Sequence, residues 1–417
     1  MGITDPDTYM RGVPYEELAR LRRESPVVRV DDFWAVLRHA DVRRVLRDPA
    51  LFSSQLGGTQ IRDAADLAYV RRMMLNMDPP EHGRLRGLLT KAFTPRAVAK
   101  LTSQIESRAR SLVAEVADRG ECDFAQVAAD LPLRTLAAVF GVPEQDRRLM
   151  YDWSNRVIGY QDAEYAVSAT VSPAEVTGLA RAALAVRPSP GPDGAMPDPR
   201  TRAGMPDLYA YANALGEYKR SHPGDDVMSA LMRNVGDDGA RVSLAEFENL
   251  FWLFSVAGNE TLRNGLPGGL LALLSHPEQY RRLREDRSLL PSAVEEMLRW
   301  WTPVMHFRRT AVAGVRLSDV DIRAGDKVVV WFTGANRDPE VFEDPDVFDI
   351  ARTPNDHLTF GHGPHFCLGA QLARVQLRAM FAAVLDLPGF MELAGEPVRL
   401  RSNFQNGLKS LPIRWAR

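Results

Sequence analysis

Apolar residues recur at three- and four-residue intervals through most of the chain, the spacing that lays them along one face of a helix. The pattern predicts helices over Tyr15 to Arg23, Glu81 to Ala92, Val98 to Ala117, Leu131 to Phe140, Pro173 to Leu184, Asp207 to Lys219, Leu244 to Leu274 and Pro291 to Trp301. Two stretches alternate with a period of two instead. VVRVDDFWAVL, near the start, breaks at an acidic pair and reads as a hairpin. VRLSDVDIRAGDKVVVWF, residues 315–332, reads as a second hairpin turning at Arg323-Ala324-Gly325-Asp326. The balance predicts a mainly α protein with small β-sheets. One segment carries neither period: PSPGPDGAMPDPRTRAGMP, residues 188–206, holds six prolines and three glycines between two helical patterns. Loops of this length inside compact domains are usually lids or disordered, so we expect a flexible lid loop within one domain spanning 1–417 rather than a boundary. No internal repeat is visible.

Composition narrows the class without choosing a function. The 417 residues are 45% hydrophobic and 25% charged, enough for a large core in an ordinary globular protein. A formal net charge of -2 gives no basic excess of the kind nucleic acid would require. The opening residues lack a basic segment followed by an apolar run, and no apolar stretch nears the roughly 20 residues of a spanning helix, so neither a signal peptide nor a membrane anchor is expected. Two cysteines, Cys122 and Cys367, fit a reducing cytoplasm and rule out a disulfide framework.

One of those cysteines sits in FGHGPHFCLGAQLAR, residues 360–374. A lone cysteine is most often a small buried hydrophobe. Cys367 instead stands among Phe360, Gly361, Gly363 and Gly369, where a strongly helical run begins at Leu368. The mouth of a helix stabilises a thiolate through its unsatisfied N–H groups and positive dipole end, and glycines let a large flat ligand approach the backbone. With no second cysteine nearby, a zinc or iron–sulfur site is excluded in favour of a single-thiolate metal ligand.

FGHGPHFCLG matches, at every defined position, the haem-binding signature F-x-x-G-x-H-x-C-x-G of cytochrome P450, and the chain resembles that family over nearly its whole length. The resemblance implies a single P450 catalytic domain with a long central helix over haem b (heme, iron protoporphyrin IX). It makes Cys367 the axial metal ligand and His365 a propionate contact, with Phe360, Gly361 and Gly369 shaping the ligand loop. Other segments carry it in the family's order. Glu296 and Arg299, a bare i,i+3 ion pair when read alone, resemble the E-x-x-R pair that locks the cysteine side of the core. In the later NRDPEVFEDPDVFD, Val347 stands where many eukaryotic members carry an arginine, which leaves the lock's third arm unassigned. His82 and Arg86, one helical turn apart and alone no more than a polar face, resemble the H-x-x-x-R pair that binds haem propionates. Arg309 matches a further propionate-binding arginine, its neighbour Arg308 being structural.

AGNET, residues 257–261, is a polar step inside an apolar helix, and buried polar groups need partners or a purpose. The resemblance supplies one: Ala257 and Gly258 leave room over the iron, while Glu260 and Thr261 deliver protons to bound dioxygen, as a hydroxyl beside a carboxylate can. Pro267, further along, is expected to kink or distort this helix.

The implied activity is that of a haem-thiolate monooxygenase inserting one oxygen atom from O2 into a lipophilic small molecule. Electrons would come from NAD(P)H through a separate ferredoxin reductase and ferredoxin, the latter docking on the cysteine side near Arg84, Lys91, Arg96, Arg374 and Arg378. By resemblance the substrate pocket is lined by the loop Leu56 to Met77, by Phe254, by Val304, Met305, His306 and Phe307, and by Phe404 in the turn Asn403 to Gly407. FWAVLRHADVRRVLRDPALFSSQLGGTQ, AGNETLRN and PVMHFRRTA look most like actinobacterial members that oxidise steroids, terpenoids and branched lipids. The alternatives are tailoring of a secondary metabolite (polyketide, peptide or aromatic), a peroxide-driven haem-thiolate enzyme and a non-catalytic haem protein; Glu260 and Thr261 speak against the last two. A cytoplasmic monomer without nucleic-acid or membrane partners completes the expectation.

Overall fold

KVVVW, residues 327–331, is apolar on both faces and forms the centre of a five-stranded sheet, as a strand covered on both sides should. The computed structural model describes residues 2–168, 171–235 and 242–416. In it the sheet runs Val27–Val30, Phe33–Val36, Lys327–Trp331, His306–Ala311, Phe52–Ser53. The first two strands are the expected hairpin, with Asp31 in the left-handed region at φ 47°. Phe33–Val36 then pairs parallel with Lys327–Trp331, which pairs antiparallel with His306–Ala311.

The second expected hairpin turns earlier than its sequence suggested. Val315–Leu317 pairs with Val320–Ile322 about Ser318, at φ 49°, and Lys327–Trp331 leaves this ribbon for the large sheet. Leu317 and Ile322 both enter the core beneath that sheet with Val36, Val45, Val328 and Val330, which fixes the pairing in this register. The Arg323–Asp326 turn instead leads from the ribbon strand Val320–Ile322 into Lys327–Trp331 of the large sheet, its Asp326 carboxylate accepting the Arg323 amide at 3.0 Å and the Trp34 indole at 2.9 Å.

Helices dominate the remainder. Pro95–Arg119 opens on Thr94, whose hydroxyl accepts the Ala97 N–H, with Pro95 in the first turn, and ends before Gly120 at φ 76°. The helix expected from Leu131 begins at Phe124 and passes through Pro132 to Phe140. The one expected from Pro173 is interrupted: a short turn Pro173–Glu175 precedes Gly178–Leu184, because Thr177 is held by Asp146 through its amide (2.8 Å) and hydroxyl (2.6 Å). Arg147–Ile158 was not foreseen. Its polar DWSNR stretch hides a nearly wholly buried helix, in which Arg156 is neutralised by Asp152 at 3.2 Å and by Asp207. The long helix Leu244–Ser275 continues through Pro267.

The chain forms two compact units, one of Met1–Ser53, Phe93–Leu131 and Thr261–Arg417, the other of Ser54–Ala92 and Pro132–Glu260. Among the described residues no helix is long and apolar enough to cross a membrane, and no group of three or more His, Cys, Asp or Glu side chains is gathered to hold a metal.

Candidate active site

The loop before helix Ala370–Asp386 is a series of tight turns. Gly361 donates to the Leu358 carbonyl at 2.8 Å, Phe366 to Gly363 at 3.0 Å and Cys367 to Phe360 at 2.8 Å. Gly361 and Gly363 both lie at φ 72°. A side chain at Gly363 would put its Cβ 2.6 Å from the Leu46 carbonyl oxygen, so this glycine seats the loop on helix His39–Arg47. Nothing lies within 4 Å of a Cβ built on Gly369, so the approach from that side stays open. Cys367 is exposed at the helix mouth, where no side chain caps the first amides. Cys122 contrasts with it: burial, reinforced by Asp123, pushes its thiol up to about 11. The two form no disulfide.

Behind the loop, Glu296 and Arg299 are wholly buried and joined through both carboxylate oxygens, each at 2.7 Å. Arg299 also donates to the carbonyls of Asn336 (2.9 Å), Pro345 (2.8 Å) and Val347 (3.2 Å). Glu296 also accepts from the Asp349 amide, from Asn355 and from Arg352 Nε at 3.2 Å. Arg352 is the third arm that the sequence left unassigned. Position 347 contributes its carbonyl oxygen, for which a valine serves as well as any residue, while its side chain points to solvent. Asn336 carries the network to the cysteine loop, donating to Thr302 and Thr359 and accepting the Leu358 amide.

Phe360 is gripped from its face by Arg374, whose guanidinium lies 4.4 Å from the ring centroid and is paired with Glu295 through two contacts of 2.7 Å. Burial of Glu295 opposes its ionisation, but hydrogen bonds from His357 and Arg374 outweigh it and hold the carboxyl at about 2. Arg374, one of the expected donor contacts, is thus already engaged; so is Arg84, with Glu81 at 2.9 Å and with Glu246.

The cations expected to face propionates are placed as follows. His82 is buried and Arg86 half-buried, one turn apart on helix Glu81–Thr90. Arg309 is buried on strand His306–Ala311, its Nη1 donating to the Arg308 carbonyl at 2.8 Å. His365 is half-buried in the turn Gly363–His365.

On the long helix, Ala257 and Gly258 are exposed although the residues on both sides, Val256 and Asn259, are buried. A Cβ on Gly258 would come within 2.7 Å of Leu136, so the glycine also allows helix Phe124–Phe140 to pack against this step. Glu260 is fully buried, with Ser154 donating to its Oε1 at 3.2 Å, and Thr261 is half-buried.

Of the expected pocket residues, Phe254 is buried and stacked on Phe140 at 4.8 Å. Val304 and Phe307 are half-buried, and Phe307 lies 5.8 Å from Phe404. Met305 and His306 face inward, and His306 is enclosed by Trp331 (4.7 Å) and Phe404 (5.4 Å). Neither ring nitrogen makes a well-formed hydrogen bond, and burial pushes the imidazole down to about 3 against a weak opposing contact with the Asn403 backbone. Ser154 and Arg352 are the functional candidates that sequence reading missed; each lies in a polar stretch whose partners are distant in the chain.

An exposed sulfur at a helix mouth, a clear approach over Gly369, an opened Ala257–Gly258 step and buried or half-buried basic side chains are, by their chemistry, what a thiolate-ligated haem with two propionates requires. Residues 215–387 match the family model described as Cytochrome P450. The chain is 35% identical to a steroid C26-monooxygenase of Rhodococcus jostii, the match covering 99% of this chain and 84% of the relative. It is 36% identical to a methyl-branched lipid omega-hydroxylase of Mycobacterium bovis over 95% of this chain and 90% of that one. A Mycobacterium marinum cytochrome P450 solved with pseudoionone superposes with a TM-score of 0.84 at 34% identity, covering 99% of this chain and 98% of the other. Sequence, fold and ligand loop agree, and the chain belongs to the cytochrome P450 family, whose members are haem-dependent oxidoreductases of the monooxygenase type.

Proposed function

We propose that the protein inserts one oxygen atom from O2 into a steroid, terpenoid or branched-chain lipid, with Cys367 holding the haem iron. Exposed Cys367, its backbone amide donating to the Phe360 carbonyl and its loop seated through Gly363 against the Leu46 backbone, carries the reading. Relatives named for steroid and methyl-branched lipid oxidation, and a neighbour solved with pseudoionone, support the substrate class.

His82, Arg86, Arg309 and His365 would hold the two propionates, where guanidinium and imidazole donors suit carboxylates. Haem ligated by a thiolate supplies dioxygen activation, the sulfur's electron density favouring O–O cleavage. The chain's own residues then divide the work. Ala257 and Gly258 keep the long helix clear of the oxygen site, and Glu260 with Thr261 holds and passes protons there. Val304 and Phe307 present an apolar wall that orients a lipophilic substrate, with Met305, His306 and Phe404 as its support, and Phe254 supplies a further apolar side chain. Residues 188–206 act as a lid, latched by Arg202, which pairs with Glu248 at 2.6 Å and lies 4.1 Å from the Tyr209 ring centroid. Electrons arrive from NAD(P)H by way of a ferredoxin reductase and a ferredoxin at the cysteine face, and the protein works as a cytoplasmic monomer.

Titration of the purified ferric protein with steroids, terpenoids and branched fatty acids, followed at the Soret band, tests the reading. A low-spin to high-spin shift with one of these classes supports it; a shift only with aromatic or peptide ligands overturns the substrate class. The reduced CO complex should absorb at the long wavelength of thiolate ligation and lose that band in Cys367→Ala. A colourless purified protein would sink the proposal altogether.

A further inference from the structure

We infer that Ser154 is a positioning residue for Glu260, a hydroxyl with two alternative acceptors that holds the carboxylate in one state and releases it in the other. The inference rests on the reading of Glu260 as the proton-handling carboxylate.

Ser154 lies on helix Arg147–Ile158 and is wholly buried, as are Asn259 and Glu260 on the long helix. Its Oγ is 3.2 Å from Glu260 Oε1 and 3.1 Å from the Tyr151 carbonyl oxygen. A hydroxyl has one proton and so donates to only one of these at a time. Asn259 Nδ2 donates to the same Oγ at 3.0 Å, which fixes the oxygen without using its proton. The Ser154 O–H is therefore anchored but free to turn. While Glu260 is ionised, the stronger, charge-assisted bond points to the carboxylate. When Glu260 takes up a proton or swings away, the hydroxyl turns to Tyr151, and no buried donor is orphaned. Leaving a buried donor unsatisfied is costly, a penalty this second acceptor removes.

A second observation marks the spot as more than packing. Asn259 Oδ1 is fully buried and accepts no hydrogen bond within the fold. Native proteins seldom keep such an acceptor without use. It stands beside Glu260 in the chain and offers a place for a proton carrier, a water or hydronium, to be held next to the carboxylate. Fixed Asn259 and pivoting Ser154 together hold the Glu260 carboxylate where it can take up and release a proton.

The test compares Ser154→Ala, Ser154→Thr and Glu260→Gln in the haem-loaded protein, with a surrogate ferredoxin and reductase as electron supply. Isotope-edited infrared spectroscopy of the resting ferric protein reads the Glu260 carboxyl band directly, identified by its loss in Glu260→Gln. That band should shift in Ser154→Ala and return in Ser154→Thr, which keeps the hydroxyl. In turnover, Ser154→Ala should lose about tenfold in kcat, the upper end of what one hydrogen bond contributes. Substrate Kd should hold, the solvent deuterium isotope effect should grow and more O2 should leave as hydrogen peroxide. An unchanged band and unchanged coupling in Ser154→Ala, beside a damaged Glu260→Gln, overturns the inference alone. Full coupled turnover in Glu260→Gln would remove Glu260 from proton handling, and the inference with it.

Discussion

His306 is a polar ring placed where a phenylalanine would pack as well, and its cost depends on pH. Burial between Trp331 and Phe404 holds its folded value at about 3, while an unfolded histidine titrates near 6.5. Below 6.5 the unfolded chain binds a proton that the folded one refuses. Stability from this residue is therefore complete above that value and lost progressively as pH falls toward 3, by on the order of 5 kcal/mol in all. His306→Phe should flatten the acid limb of urea-unfolding stability between pH 6.5 and 3 and leave it nearly unchanged at pH 8. Gly363 makes a sharper demand, since alanine there would combine a positive φ with a Cβ 2.6 Å from the Leu46 oxygen. Gly363→Ala is expected to lose at least about 1–3 kcal/mol and much of the thiolate CO band, measured by denaturation and by the reduced CO spectrum. At this scale the sequence announced Cys367 and the glycines around it, because their types are unusual for a helix mouth. It could not announce that Gly363 meets Leu46 or that Gly258 meets Leu136, because those contacts join segments far apart in the chain.

Among the elements, the segment after Ala335 works as a clamp on the Glu296–Arg299 helix. Arg352 reaches Glu296 and also donates to the carbonyls of Glu343, Asp344 and Val347, tying the meandering chain into a knot of its own hydrogen bonds. Arg299→Ala leaves a buried carboxylate without its bidentate partner and should cost about 3–5 kcal/mol. Arg352→Ala, nearer the surface and only one of several donors to Glu296, should cost roughly 1–3 kcal/mol, the usual worth of a charged hydrogen bond. Guanidinium unfolding of both variants checks the order. Residues 188–206, the proposed lid, are held more lightly. Arg202 is half exposed and its pair with Glu248 is screened, so Arg202→Ala should change stability by no more than about 1 kcal/mol while raising the stopped-flow rates of ligand entry and exit. Helix periods were readable at Tyr15–Glu24, Glu81–Thr90 and Pro95–Arg119, where one face is polar, and were not read at His39–Arg47 or Pro277–Glu285. They failed at Arg147–Ile158, where Asp152 and Arg156 are inside and paired, and at the second hairpin, whose turn is set by Leu317 and Ile322 sharing a core rather than by the better turn residues downstream.

For the whole molecule, the large sheet gathers strands from both ends of the chain, residues 27–53 with 306–331, and so closes the unit that carries the cysteine loop. A fold of this kind is stabilised by whatever binds only its native form. Haem loading should accordingly raise the melting temperature of the protein, and Cys367→Ala should lose most of that gain in a calorimetric comparison of the loaded and stripped forms. Acid should act on the same unit through Glu295. Its carboxyl is held at about 2 by His357 and Arg374 against burial, so its contribution is complete above the usual carboxylate range and is lost progressively as pH falls from there through about 2. Architecture at this scale was foreshadowed by the order of motifs along the chain. The division into two units was not, since both contain segments from distant parts of the sequence and no composition shift marks the seams.

The contrast between the two thiols makes the protein a single-site target for alkylating chemistry. Cys122, raised to about 11, is almost wholly protonated at neutral pH and should react slowly, whereas Cys367 is exposed at the positive end of a helix. A maleimide or iodoacetamide should therefore add one equivalent to the stripped protein in a fast phase and almost none to the loaded one. The fast-phase stoichiometry, read by intact mass, would count the fraction of molecules that lack cofactor without any optical measurement.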